Sequence, residues 1–204
     1  DLNVTDVFYK GKLVDRNAPI RVKTCGRALK HTVHLDKVKA EQFVLPIGKK
    51  KTHVIGINPS QITTEDLAVS LQPAANYVPT DGYSKVAAVE RHHNTGKIGV
   101  AVAKGYGIRN GAVASSVSHD SHNIIVIGDN DRDMALAVDE IIRTQGGYTV
   151  VENGEVFETL PLPIMGLMSD AGFESVNETL GRMIKKAHEM GVPADIEPFI
   201  TLSF

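Results

Sequence analysis

The sequence predicts an α/β, or α+β, layered domain with a mixed sheet and at least two packing helices, preceded by a few strands of a small β domain. Three observations lead to this prediction. Short apolar runs of strand length recur between residues 52 and 128, and two later segments repeat apolar residues with the period of a helix. In addition, Asn153-Gly154 separates two strand-like runs, which is a strong signal for a β-hairpin.

The N-terminal part of the chain is predicted to contain another hairpin. Residues 3–14 read as two short strands that turn at Lys10-Gly11, where glycine can supply the positive φ angle of a tight turn. Two strands alone cannot bury a core, so we expect this hairpin to belong to a larger sheet. Residues 15–39 are polar and basic and are interpreted as a connection, with a short strand around Thr32-Val33.

The apolar runs of the main region give its predicted strands. These strands cover residues 52–57, 85–91, 97–103, 111–116 and 122–128. The last run is apolar almost throughout, as expected for a central strand with both faces covered. Thr63 is interpreted as the N-cap of a short helix over residues 63–67.

Two longer helices are predicted from their apolar stripes and their end signals. In the first, Asn130 is the expected N-cap and Gly146 follows the last turn. The second is predicted to begin at a capping box formed by Ser175 and Glu178, and to end before Gly191.

Composition excludes several classes of protein. Of 204 residues, 42% are hydrophobic and 23% are charged, which is typical of a globular domain rather than a disordered chain. There is no run of about 18 apolar residues and no signal-peptide pattern, so we expect no membrane partner and a cytoplasmic location. The single cysteine, Cys25, excludes a disulfide framework. Residues 1–60 are basic but have few aromatic residues among the charges, so we expect no nucleic-acid partner.

Two polar clusters stand at the ends of predicted strands. They consist of Glu90, Arg91 and His92 in the first cluster, and of His119, Asp120 and His122 in the second. Loops at strand ends build the sites of layered α/β domains. Polar groups beside a buried strand must form hydrogen bonds. These side chains therefore either hold a turn together or face a ligand, and the residue types leave both interpretations open.

Other chemistries receive less support from the sequence. His119 and His122 have a spacing that could bind a metal, with oxygen from Asp120 or Glu90, but two histidines at this spacing are common by chance. We therefore expect no metal on this chain alone and keep His119 and His122 as the alternative. A serine nucleophile lacks its G-x-S-x-G elbow. The glycine-rich residues 104–111 have the wrong spacing for a dinucleotide-binding turn and precede a strand rather than a helix.

The apolar residues 160–169 contain two prolines, which excludes a regular central strand. The segment is interpreted as a loop that packs on the core. The alternative is an apolar wall beside a planar ligand, with methionines as adaptable contacts.

Several of these segments together resemble a known family. Residues 89–92, 102–107, 111–128, 160–169 and 198–204 are similar to the C-terminal part of bacterial and archaeal adenine deaminases. Residues 7–14 are similar to the strands that follow the barrel in the amidohydrolase superfamily. The resemblance implies that residues 1–38 are the end of an amidohydrolase-type β domain with its connection, and that residues 39–204 are the adenine deaminase C-terminal α/β domain.

The resemblance also implies an activity. The family hydrolyses adenine to hypoxanthine and ammonia in a barrel that holds divalent metals, which are manganese or iron, or sometimes zinc. No H-x-H pair of that barrel occurs in these 204 residues. We therefore expect this chain to be part of a deaminase, inactive in isolation, with adenine as substrate and the amidohydrolase barrel as its partner.

The same resemblance suggests roles for the two polar clusters. His92, His119 and His122 would make polar contacts near the metal or the substrate, with Glu90, Arg91 and Asp120 alongside them. We also expect a homo-oligomer. The alternative is a structural or oligomerisation module without catalytic contacts, in which residues 160–168 pack against another subunit.

Overall fold

The computed structural model describes residues 3–15, 17–18, 26–80 and 82–204. Cys25 lies outside the described residues. Within them, eight strands form one mixed sheet and two further strands form a separate hairpin. Two long helices pack on the large sheet, which confirms the predicted layered fold. None of the helices in the described part is both long and apolar enough to cross a membrane.

The elements follow one another in a simple order. The separate hairpin is made of β1 (Phe8–Tyr9) and β2 (Lys12–Leu13). The large sheet contains β3 (Thr52–Ile57), β4 (Thr64–Val69), β5 (Tyr83–Val89), β6 (Ile98–Lys104), β7 (Gly111–Ser115), β8 (Ile124–Gly128), β9 (Gly147–Glu152) and β10 (Glu155–Pro161). The helices are α1 (Asp131–Thr144) and α2 (Phe173–Glu189). Short 3-10 helices cover Arg27–Lys30, Ala40–Phe43 and Ile200–Ser203.

The strand order of the large sheet is β10-β9-β7-β8-β5-β6-β3-β4. Only β3 and β6 are parallel neighbours, and the other pairs are antiparallel. Strand β8 lies near the middle, and its side chains Val126 and Ile127 belong to two different buried clusters. This confirms the prediction of a central strand covered on both faces.

Helix α1 covers one face of the sheet and begins as predicted. The side chain of Asn130 accepts a hydrogen bond from the backbone N–H of Asp133 at 2.9 Å, so it is the N-cap. Gln145 then ends the helix in the left-handed region, just before Gly146. Four apolar side chains of the predicted stripe are fully buried: Met134, Ala137, Val138 and Ile141.

Helix α2 packs on the opposite face, through Met183 and Ala187. The predicted capping box is wrong, because the helix begins at Phe173 and Ser175 lies inside its first turn. The N-cap is Gly172, which forms no side-chain cap. A capping interaction is worth only about 1 kcal/mol, and packing of the apolar face outweighs it.

Two local predictions failed because pairing and packing outweighed short sequence signals. The predicted helix over residues 63–67 is instead strand β4, with Leu67 opposite Val54 of β3. Leu67 packs on the small cluster that contains Val54, so strand alternation explains the segment better than the cap signal at Thr63. Thr32 and Val33 form no strand. Val33 is buried against the α1 layer instead.

A buried lysine joins β5 to the start of α1. Lys85 is 1% exposed, and its Nζ lies 2.5 Å from a carboxylate oxygen of Asp131. The same ammonium donates to the carbonyl of Phe43 at 3.0 Å and to the side-chain oxygen of Asn76 at 2.9 Å. These acceptors satisfy all three donors of the ammonium, as burial of a charge requires.

Candidate functional site

Two loops meet at one end of the large sheet and carry all six candidate residues. One loop connects β5 to β6, and the other connects β7 to β8. Because β5 and β8 are antiparallel neighbours with Val89 opposite Ile124, the end of β5 lies beside the start of β8. Strand β5 ends two residues earlier than predicted and β8 begins two residues later, so Arg91 and His122 belong to the loops. The fold therefore brings the two polar clusters together.

Glu90 organises its own loop. Its carboxylate accepts hydrogen bonds from the backbone N–H groups of His92, His93 and Thr95, and from the hydroxyl of Thr95. Burial alone would raise the pKa of this carboxyl, but the hydrogen bonds from Thr95, His92 and His93 outweigh it and lower the pKa to about 2. Glu90 is thus ionised and engaged by its neighbours, which is a turn-holding role.

Arg91 is 1% exposed and links the two loops to two further segments. Its Nε donates to the carbonyl of His122, Nη1 to the carbonyl of Thr32 at 3.1 Å, and Nη2 to the carbonyl of Met165 at 3.1 Å. Burial lowers the pKa of the guanidinium, whose ordinary value is far above neutral pH. A side chain enclosed in this way positions the loops and has no face left for a ligand.

Gly166 lies directly against this guanidinium. A Cβ atom at this position would come within 2.9 Å of Nη1 of Arg91. Gly166 also has a φ angle of +71°, which side chains rarely adopt. Both facts explain why the segment after β10 carries glycine where it passes Arg91.

His119 and Asp120 are the exposed members of the cluster. Nδ1 of His119 lies 2.5 Å from a carboxylate oxygen of Asp120, and the two side chains are 54% and 96% exposed. The peptide bond between them is cis. The imidazole stacks on the ring of Phe204 at a centroid distance of 5.2 Å. This pair presents an oriented imidazole and a carboxylate to whatever lies outside the domain.

His122 and His92 are half-buried beside this pair. The imidazole of His122 lies 5.7 Å from that of His119, measured between ring centroids, and its Nδ1 accepts the backbone N–H of Ser118 at 3.4 Å. Nε2 of His92 donates to the carbonyl of Ser121 at 2.8 Å. Burial lowers the pKa of His122, and the nearby positive groups of His119 and Arg91 lower it further.

The geometry does not fit a metal held by these residues. No group of three or more histidine, cysteine, aspartate or glutamate side chains comes together within the described residues. Asp120 already engages Nδ1 of His119, and a backbone N–H engages Nδ1 of His122. The alternative metal pair of His119 and His122 therefore lacks a third ligand in the part of the chain that the structure describes.

An apolar groove opens next to the exposed histidine. It has a volume of about 330 Å³ and lies on the sheet face that α2 also uses. Strands β3, β5, β6 and β8 form its floor, and Leu202 and Phe204 form one wall. Since Phe204 also stacks on His119, the groove and the polar cluster share a rim.

The segment over residues 160–169 divides into a buried and an exposed part. Leu160 ends the edge strand β10, so the loop begins only after Pro161, but Leu160 and Leu162 are both buried in the α2-side core, which agrees with the predicted packing role. Met165 and Met168 are exposed. Among the large apolar side chains of this segment, the two methionines are therefore the ones available to another molecule.

Sequence reasoning missed the contribution of the last residues to this site. The carbonyl of Ser203 accepts the N–H of His119 at 2.6 Å, and the hydroxyl of Ser203 donates to the carbonyl of Val117 at 3.0 Å. Residues 198–204 matched the family pattern, but no periodicity or spacing pairs them with a loop so distant in sequence. The contacts of Arg91 with Thr32 and Met165 have no sequence signal either.

Comparison with known proteins places the chain in a family. The family model described as the adenine deaminase C-terminal domain matches residues 61–204. An adenine deaminase of Desulfitobacterium hafniense (strain Y51) is 47% identical over 206 residues, which cover 100% of this chain and 36% of that relative. An adenine deaminase of Nitratidesulfovibrio vulgaris (strain DP4) is 44% identical and covers 98% of the chain.

A more distant relative is covered over a similar share of its own length. The adenine deaminase of Bacillus pumilus (strain SAFR-032) is 38% identical over 211 residues, which cover 100% of this chain and 37% of the relative. The chain thus spans little more than a third of the length of the curated relatives it matches. The matched family model and the identity along the whole chain lead to one conclusion: the chain belongs to the adenine deaminase C-terminal domain family.

Proposed function

We propose that this chain is the C-terminal part of an adenine deaminase, an enzyme that hydrolyses adenine with water to hypoxanthine and ammonia. The observation that carries the proposal is the 47% identity with a relative of that name along the whole chain. Catalysis is assigned to the portion of the polypeptide that this chain does not cover. The divalent metal that the resemblance implies, manganese, iron or zinc, is assigned there too, since the described residues offer no ligand set.

Within this proposal, His119 and Asp120 face the catalytic portion. They are the exposed members of the cluster, and their mutual hydrogen bond orients the imidazole outward from the sheet end. An imidazole held in this way can donate to, or accept from, a polar group of the substrate or of a metal-bound side chain. His122 and His92 support the loop from behind, and Glu90 and Arg91 position it.

The domain boundary near residue 38 is part of the proposal. The hairpin β1–β2 exposes Phe8, Tyr9 and Leu13, each by more than half of its surface. Exposed apolar side chains on an isolated hairpin support its membership in a larger β domain. Val33 and Val38, by contrast, are buried in the core of the α/β domain, as suits a connection that leads onto it.

The test compares variants of the intact polypeptide. We expect His119→Ala and Asp120→Asn to lower kcat for adenine by at least about tenfold, with an unchanged thermal midpoint. His93→Ala, an exposed neighbour in the same pair of loops, is the matched control and should retain activity. If the intact wild-type polypeptide releases no ammonia from adenine, the proposed function is wrong.

The second candidate is a structural or oligomerisation module. The exposed Met165 and Met168 favour it, because adaptable apolar side chains suit a subunit contact. In that case His119→Ala and Asp120→Asn would alter the thermal midpoint or the sedimentation of the intact polypeptide. The turnover per folded enzyme would stay unchanged. The proposal includes a cytoplasmic homo-oligomer, and sedimentation of the intact polypeptide tests the oligomer.

A further inference from the structure

The residues that the structure describes cover only part of the sheet face that carries α2. Helix α2 packs on β9 and β10, and Met183 joins Ile127 and Val150 in the buried cluster on that side. The strands farther along the sheet, β5, β6 and β3, form the floor of the apolar groove instead. The covering layer therefore ends partway across the sheet.

The composition of the groove floor is that of a covered surface. On this face β6 presents Gly99, Ala101 and Ala103, and β5 presents Val86 and Ala88. A strand with one face in water usually alternates apolar and polar residues, whereas these strands carry no polar side chain toward the groove. Small side chains also let a partner approach the strands closely.

The edges of the groove are different from its floor. Ile55 on β3 is 39% exposed and Phe204 is 55% exposed, so large apolar side chains stand at its margins. Beyond Ile55, Nδ1 of His53 and a carboxylate oxygen of Asp66 form an exposed hydrogen bond at 2.8 Å across β3 and β4. An apolar centre with a polar rim is the usual anatomy of a protein interface.

We propose that the catalytic portion of the same deaminase polypeptide docks in this groove. The inference rests on the proposed function and adds the surface through which the two parts meet. The relatives align with the whole of this chain over only 36% of their own length, so most of their polypeptide lies outside it. A body seated in the groove would contact Phe204 and therefore lie against the exposed pair of His119 and Asp120.

Docking of the catalytic portion in the groove would explain two observations. Docking removes the apolar floor around Ala88 and Ala101 from water, and it brings the exposed pair of the polar cluster, His119 and Asp120, to the catalytic portion. A second copy of the chain would cover the floor equally well, but it would give the adjacent imidazole no catalytic neighbour. The two occupants can be distinguished by dilution. Contact with a second copy weakens as the protein concentration falls, whereas contact within one polypeptide does not.

The experiment measures accessibility in the intact polypeptide. Ala88→Cys and Ala101→Cys are compared with Ala171→Cys, which lies in the exposed turn before α2. N-ethylmaleimide is the probe, and peptide mass spectrometry assigns the label, so other cysteines do not interfere. Ala88 is exposed in this structure, so the small change to cysteine leaves the fold intact.

We expect the two groove cysteines to react at least about tenfold more slowly than the control cysteine. The protection should persist on dilution to a concentration at which sedimentation shows only monomer. Equal labelling rates at the three positions would overturn the inference, and protection that disappears with dilution would assign the groove to a second copy. If the groove cysteines react as fast as the control while adenine turnover is normal, only the proposed docking surface is wrong. If the wild type does not turn over adenine, the proposed function is wrong.

Discussion

The guanidinium of Arg91 donates a hydrogen bond to the backbone carbonyl of His122, and this bond fastens the loop after β5 to the loop before β8. The same side chain binds the carbonyls of Thr32 and Met165. A single buried residue thus sets the relative positions of three segments, including the one that bears the exposed imidazole of His119.

Arg91→Lys should destabilise the 204-residue chain by about 2 kcal/mol, because an ammonium cannot reach all three carbonyls with the geometry of the planar guanidinium. Urea unfolding measures this change. Arg182→Lys is the matched control, since the guanidinium of Arg182 also makes several hydrogen bonds, with Glu158 and Thr179, but on the surface. Its cost should be clearly smaller than that of Arg91→Lys, because solvent screens an exposed ion pair. Equal costs for the two variants would contradict the role given to Arg91.

Lys85→Met should cost about 3 kcal/mol in free energy of unfolding, because it leaves the partly buried carboxylate of Asp131 without its cation. The double variant Lys85→Met with Asp131→Asn should be more stable than the sum of the two single changes predicts. A double-mutant cycle by urea unfolding measures the coupling between the two residues. Strict additivity would show that the buried pair does not interact.

Glu90→Gln should lower stability near neutral pH by about 1 kcal/mol, a value reduced by the partial exposure of the carboxylate. The folded-state pKa of Glu90 is about 2, below its ordinary value of 4.5, so the carboxylate stabilises the fold above pH 4.5. That contribution is lost as the pH falls from about 4.5 toward 2. The stability difference between wild type and variant should therefore shrink over this interval, as measured by urea unfolding at each pH. A difference that grows in acid would disprove the assignment.

His122 should titrate below its ordinary value of 6.5, because burial and the positive groups nearby disfavour its protonated form. The unfolded chain then takes up this proton first, so stability should fall as the pH is lowered through about 6.5. His122→Asn removes this component, and asparagine tolerates the positive φ angle of 49° at this position. NMR titration of the imidazole and unfolding between pH 5 and 7 provide the measurements. A pH profile that is identical in the variant would refute the expectation.

The parts of the fold that sequence reasoning predicted are those with a strong period or a local signal. The apolar stripe beginning at Met134, the N-cap Asn130 and the Asn153-Gly154 turn each have a local cause, and the structure has all three. Strand β4 was predicted as a helix because its polar residues carry a cap signal, whereas its actual conformation depends on pairing with β3.

The candidate site was predictable only as a list of residues. The sequence placed Glu90 and His119 at strand ends, and the antiparallel pairing of β5 with β8 brings their loops together. Nothing in the sequence separates the buried Arg91 from the exposed Asp120, because burial depends on segments far away in the chain. The groove was not predicted either. In the sequence Ala88 and Ala101 look like ordinary core residues, and only the structure shows that α2 packs on β9 and β10 and leaves β5 and β6 uncovered.

Ser203 and Phe204 both support the loop between β7 and β8. Ser203 bonds to it through its carbonyl and its hydroxyl, and Phe204 stacks its ring on His119. No strand and neither long helix contains these two residues. Replacing Phe204 with alanine would therefore leave the strands and both long helices in place and yet uncover one face of the His119 imidazole. Sequence variants at Ser203 and Phe204 should be assessed as changes to the surface around His119, even when circular dichroism and expression level look normal.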